Sequence, residues 1–163
     1  MSLRLYIKQA VFSWVDRFTV YDEAGDDKYY VEGELFSWGK RLHVYDKYDE
    51  EVIYIQQQLL TLLRPKYEIF VKGQYIAELV REISLFKPYY TVDSLGWDIE
   101  GDFFAHEYAV TCSGVPVVSI SKEWLTWGDS YVLDIHYDRD ELSALAVVLA
   151  IDCIVAQSNR HHN

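Results

Sequence analysis

Positive charge is scarce in this chain. Fifteen Lys and Arg stand against twenty-six Asp and Glu, a formal net charge of −11. A surface of that sign repels nucleic acid and anionic lipid unless cations cluster, so nucleic acid is not an expected partner. Proline and glycine are few, three and eight residues, which argues against a disordered or low-complexity chain. There are two cysteines, Cys112 and Cys153. They fit no metal spacing and read as free thiols of a reducing cytoplasm, with a bridge between them as the alternative. The opening Met1–Gln9 has no long apolar core and no cleavage site, so no secretory leader is expected and the localisation expected is cytoplasmic. Also missing are a phosphate-cradling glycine loop, a nucleophile elbow and a paired-cysteine zinc spacing. No carboxylate pair is singled out for acid–base work. The expectation is a protein that is not an enzyme and that needs no metal or cofactor.

Long apolar runs are absent too, until the last stretch. Between Leu142 and Ala156 only Ser143 and Asp152 are polar. Asp138 precedes this run as an N-cap candidate, with Glu141 three residues on as in a capping box. The pattern predicts a helix over about 139–157, roughly 28 Å long at 1.5 Å per residue. A helix apolar on every side lies either in lipid or encased in protein. The unbroken run Ala144–Ile151 is far shorter than the roughly 20 residues of a membrane span, and Asp152 interrupts the longer one. Encasement is therefore expected, with a C-terminal anchor as the alternative.

What is abundant is aromatic and β-branched residues. Aromatics are 16 % of the chain, fourteen of them Tyr, which favours strands. The 163 residues suit a single domain, 1–163. Within it one pattern recurs. Ile7–Trp14 followed by Asp16–Asp22 returns 24 residues later as Val31–Trp38 followed by Lys40–Asp46. A third copy runs Ile55–Leu62 and Lys66–Val71. Weaker copies follow at Val80–Phe86 with Tyr89–Asp93, Ile99–Phe104 with Tyr108–Cys112, and Ile120–Trp127 with Tyr131–Ile135. Each is two alternating runs around a short turn, a β-hairpin. Six hairpins give about twelve strands, and a sheet that wide closes rather than staying open. A barrel of that width would be hollow, and the apolar helix fills it. The fold class is all-β with one helix: a closed antiparallel barrel of about twelve strands around a central hydrophobic C-terminal α-helix.

The stretches Y-I-K-Q, F-S-W-x-D-R-F-T-V-Y-D-E-A-G and V-E-G-E-L-F-S-W-G, with the closing apolar helix, resemble the LURP-one-related family, which includes the bacterial YxjI-type proteins. The resemblance covers nearly the whole chain. That family is structurally similar to the tubby C-terminal domain and the phospholipid scramblases. It implies a closed twelve-stranded barrel around the helix. Tubby domains bind phosphoinositide head groups through basic residues, none of which aligns onto this acidic chain.

Turns of an up-and-down barrel alternate between its ends. One set, at 22–27, 46–51, 72–74 and 93–96, is mostly acidic. The other holds Trp14, Arg17, Trp38, Lys40, Arg41, Arg64, Lys66, Lys87 and Trp127. That rim reads as an interfacial patch for a membrane phospholipid or phosphoinositide, or for a carboxylate-rich protein partner. Alternatively its aromatics fold inward and plug the mouth. Inside, alternation places Gln9, Gly33, Gln57, Gly101 and Lys122 between apolar inward residues, with Glu82 as the equivalent on a further strand. Asp152 lies at about that depth and is expected to meet Lys122 or a glutamine, Gln9 or Gln57, in a buried polar clasp. Asp134, His136 and Asp138 share an outward face and read as solvated rather than metal-binding, while His43 and His106 stand alone. The functional expectation is a non-enzymatic barrel docking to a membrane surface or protein partner, peripheral at most. A carrier or sensor of a small ligand between barrel and helix is the alternative.

Overall fold

Alternating residues along most of the chain form twelve strands in the computed structural model, which describes residues 2–8, 17–36, 39–58, 66–82, 89–125 and 128–160. In order they are β1 (Leu3–Lys8), β2 (Arg17–Tyr21), β3 (Asp27–Phe36), β4 (Gly39–Asp46), β5 (Glu51–Gln57) and β6 (Lys66–Val71). There follow β7 (Gln74–Glu82), β8 (Tyr89–Asp93), β9 (Trp97–Asp102), β10 (Glu107–Cys112), β11 (Val115–Leu125) and β12 (Gly128–Ile135). One 3₁₀ turn, Asp138–Asp140, leads into α1 (Glu141–Arg160). Each strand pairs with its neighbours in sequence, and β1 closes the ring antiparallel to β12 with Leu3 opposite Ile135. Closure leaves no open sheet edge.

The repeat seen in sequence is a repeat of backbone devices. Asp22 Oδ1 accepts the N–H groups of Ala24 and Asp26. Asp46 Oδ1, one repeat later, accepts those of Tyr48 and Glu50. Just before these turns the register slips at Val20/Tyr21 and Val44/Tyr45, and again at Ile69/Phe70 in the third copy. Such bulges increase local twist and help a sheet curl. The third turn is shorter, with Lys72 and Gly73 at φ +50° and +76°, the mirror-type turn that suits a two-residue hairpin.

Inward positions are almost all apolar and fully buried: Leu5, Val20, Val31, Val44, Ile53, Ile69, Leu79, Val110, Leu133 and their neighbours. Twelve strands about 4.8 Å apart and tilted by about 40° enclose a ring of roughly 12 Å radius. A helix about 10–12 Å across, lined by one layer of strand side chains, fills that space. Accordingly Ala144 to Ile151 are completely buried on every face.

The helix begins two residues later than the sequence suggests and continues to Arg160. Its expected capping box is not formed. Asp138 opens the 3₁₀ turn, whose N-cap position is taken by Tyr137 without a side-chain cap. Glu141 is drawn instead to the barrel wall. Its Oε1 accepts the Tyr29 hydroxyl at 2.8 Å and lies 2.6 Å from Lys28 Nζ. The helix thus enters at the end carrying the acidic turns and runs toward the opposite mouth.

Candidate functional site

The opposite mouth is where sequence placed both the basic rim and the polar belt. Trp14, Trp38, Arg64, Lys87, Trp127 and Gln9 lie outside the described residues. The others do not form one patch. Arg17, Arg41 and Lys66 alternate with inward residues and point away from the lumen. Arg17 Nε lies 2.9 Å from Glu32 Oε1, and Lys66 Nζ 3.1 Å from Glu78 Oε1. Arg41 stands opposite Glu34 and Gln56. Lys40, by contrast, alternates with the buried Leu42 and Val44 and faces inward. Glu82 does not belong to the inner belt: its carboxylate accepts the outward Thr91 hydroxyl at 3.3 Å. Arg81, opposite the buried Tyr90, takes that inward place. Lys122 is opposite the buried Tyr131, and Gln57 opposite the buried Tyr67, so both face the lumen.

The clasp on Asp152 is built from different residues than expected. Its Oδ2 accepts a hydrogen bond from the Tyr131 hydroxyl, and its Oδ1 lies 3.4 Å from His106 Nε2, close but not aligned as a hydrogen bond. The Lys122 contact is a backbone one, its N–H donating to Glu107 Oε1 at 3.1 Å. The physical reason is reach. The 103–106 turn between β9 and β10 folds over the mouth and delivers a histidine to the carboxylate.

Gly101 makes that fold possible. At φ +142° its backbone packs so closely on β10 that a Cβ would sit 2.5 Å from the Glu107 carbonyl oxygen and from Tyr108 Cα. This glycine therefore serves its strand neighbour rather than leaving room for the helix. Phe103 then tucks inward against Tyr90, edge to face at 4.5 Å, and His106 stacks on Tyr131 at 4.3 Å. His106 holds this position at φ +55°.

Around the clasp is a ring of buried phenols. Burial holds the Tyr131 and Tyr108 hydroxyls well above the ordinary phenol range, and the Asp152 charge adds to it. Burial likewise raises Tyr67 and the Cys153 thiol; Lys40 opposes the shift at Cys153. Tyr67 Oη, Tyr108 Oη, His106 Nδ1 and Asp152 Oδ1 are buried and meet no protein hydrogen-bond partner. Among the described residues the interior offers one carboxylate, one imidazole and several neutral hydroxyls, with Lys40, Arg81 and Lys122 on the surrounding wall. Tyr131 was visible in sequence as the residue two before the inward Leu133. His106 was not, because its position depends on a left-handed turn.

Elsewhere, Asp134 is engaged by Arg4 at 3.2 Å, and both cysteines are free. Among the described residues no helix is long and apolar enough to cross a membrane.

Comparison with known proteins agrees with this architecture. The family model of the LURP-one-related proteins matches residues 3–152. The chain is 35 % identical over 153 residues to the uncharacterised protein YxjI of Bacillus subtilis, covering 94 % of each. Its fold is similar to a crystal structure of an Arabidopsis thaliana protein, with a TM-score of 0.63 at 14 % identity, over 91 % of this chain and 89 % of that one.

Proposed function

The chain belongs to the LURP-one-related family, and from that premise we propose that it is a non-enzymatic binding module, a tubby-like barrel that docks by the mouth opposite its acidic turns. The observation that carries this reading is the segregation of charge along the barrel axis. Asp22, Asp26, Asp27, Asp46, Asp49 and Glu51 cluster at the end where the helix enters. The inward cations Lys40, Arg81 and Lys122 ring the lumen toward the other end. Such a dipolar molecule approaches an anionic surface with one end only. Cations near a charged bilayer contribute about 1 kcal/mol each.

The target is an anionic membrane surface or a carboxylate-rich protein. Flotation with vesicles of neutral lipid, with and without anionic lipid, tests the membrane version. Binding to the anionic vesicles alone, weakened by Lys122→Glu and abolished by high salt, supports it. Absence of binding to any anionic vesicle at low salt refutes it and leaves the protein partner.

A second reading rests on the buried hydroxyls. Tyr67 Oη and Tyr108 Oη on the wall and Asp152 Oδ1 on the helix are buried without a protein hydrogen-bond partner, and this favours a small polar ligand held between barrel and helix. Native mass spectrometry of the purified protein reads it directly as an added mass.

A further inference from the structure

The outer wall of β3–β7 carries an aromatic stripe that neither the core nor the mouth requires. His43 stacks on Tyr45 of its own strand at 6.3 Å. It meets Tyr54 on β5 at 5.1 Å, Tyr54 meets Phe70 on β6 at 5.7 Å, and Phe70 meets Tyr75 on β7 at 5.6 Å. At the other end Tyr30 on β3 stands opposite Tyr45. Tyr30 and Tyr75, the two ends, are 40 % and 50 % exposed. The outward face of an antiparallel sheet is ordinarily polar, and a contiguous aromatic patch there marks an interaction surface.

Carboxylates border the stripe. Glu51, Glu32, Glu34 and Asp49 act on Tyr45, and Glu68 with Asp93 on Tyr75. His43 is held between two of them, with Nδ1 2.6 Å from Glu51 Oε2 and Nε2 3.4 Å from Glu34 Oε2. The wall's own cations are committed nearby: Arg17 to Glu32, Lys66 to Glu78, and Arg41 beside Tyr54. At its β3 end the stripe opens into a cleft of about 210 Å³ lined by Tyr30, Tyr45, Glu32 and Asp49, with Arg17, Phe18 and Thr19 of β2 along its side.

We propose that this wall is a docking surface for an arginine- and lysine-rich segment of a partner protein. Aromatic faces and carboxylates together are what a guanidinium or ammonium group seeks. The cleft accepts one long cationic side chain, in competition with Arg17 for Glu32. His43 and Tyr45 lie within 13° of parallel, but the rings that follow are tilted by 41°, 43° and 72°, so the stripe as a whole is not a flat platform. The charge complementarity is to cations, on a chain whose net charge is −11. This surface is separate from the mouth assigned above to anionic targets.

Fluorescence anisotropy of a labelled nona-arginine peptide, titrated with the full chain at about 50 mM salt, tests the proposal. Glu34→Gln/Glu51→Gln removes two charges beside the stripe. Asp98→Asn/Glu100→Gln removes two exposed charges from β9, two strands beyond Tyr75, the last ring of the stripe. The expected result is about a tenfold loss of affinity for the first and less than about threefold for the second. Tyr30→Ser/Tyr75→Ser leaves every charge in place and touches only exposed rings; about a fivefold loss is expected. Equal losses from the two charge variants, unchanged affinity of the tyrosine variant, or no saturable binding would each overturn the proposal. So would sedimentation showing that the tyrosine variant dissolves a dimer of the parent chain, since the stripe would then be covered by a second copy.

Discussion

Replacing Tyr131 by Phe is the most direct test of how the helix is locked in the barrel. The change removes one hydroxyl and leaves the ring stacked on His106. The Asp152 carboxylate, 7 % exposed, then loses its hydrogen-bond donor. A hydrogen bond to a charged group contributes about 1.5–3 kcal/mol, and stripping a buried charge of its partner costs about 3–5 kcal/mol. His106 remains 3.4 Å from the other oxygen, so the loss falls near the lower range, about 2–3 kcal/mol. For a chain of this length that lowers Tm by about 4–12 °C. Asp152→Leu behaves differently. It removes the charge together with its desolvation penalty, so it costs less than Tyr131→Phe, about 1 kcal/mol or nothing. The double variant resembles Asp152→Leu alone, which gives a coupling energy equal to the Tyr131→Phe loss, about 2–3 kcal/mol. Urea unfolding followed by tryptophan fluorescence measures all four proteins, with unchanged m-values as the control for a common unfolded state. Tyr131→Phe within about 0.5 kcal/mol of the parent, or strictly additive variants, would show that the carboxylate is not held by this hydroxyl.

Alkali should unfold the protein in one cooperative step. Burial raises Tyr67, Tyr108 and Tyr131 above the ordinary phenol value of 10.0, and Cys153 above 9.0. The folded state keeps protons that the unfolded chain releases, so their contribution is complete below the unfolded values and is lost as pH rises beyond them. Each group costs about 1.4 kcal/mol per pH unit in that window, about 5 kcal/mol per unit for the four. The phenolate absorbance of the buried tyrosines should therefore appear only together with the loss of far-UV dichroism; titration of every tyrosine near pH 10 in a folded barrel would contradict it. Gly101→Ala should destabilise by about 3 kcal/mol or more, because its Cβ meets β10 backbone. Gly73→Ala, at φ +76° with nothing within 4 Å, should cost only about 1–2 kcal/mol, and comparable losses would remove the close-approach argument.

The barrel was legible because every level of the sequence agrees on it. Alternation names the inward face, and the apolar helix names what must fill the lumen. The 24-residue repeat is chemically grounded: Asp22 and Asp46 hold the same two-bond turn, and the Val-Tyr pairs before them bulge alike. Boundaries were less legible where propensity and tertiary contact compete. Asp138 is a good cap in isolation, yet Lys28 and Tyr29 on the wall offer Glu141 a better set of partners. No local rule ranks a carboxylate's turn partners against a strand more than a hundred residues away.

The site was legible only to the resolution of a period. Side-chain alternation correctly turned Gln57 and Lys122 inward but assigned Glu82 where Arg81 belongs, because a one-residue slip reverses every face of a strand. The same shift puts a guanidinium where a carboxylate was expected, on a wall that also carries Lys40 and Lys122. The identity of Asp152's partners needed something further. Tyr131 lies on a regular strand and was within reach of counting, whereas His106 depends on Gly101 letting β9 press against β10 and on a left-handed residue at the turn. Sequence patterns locate a buried charge; the backbone irregularities around it decide what answers the charge. In a fold this regular, those irregularities are therefore where functional differences between relatives should be sought.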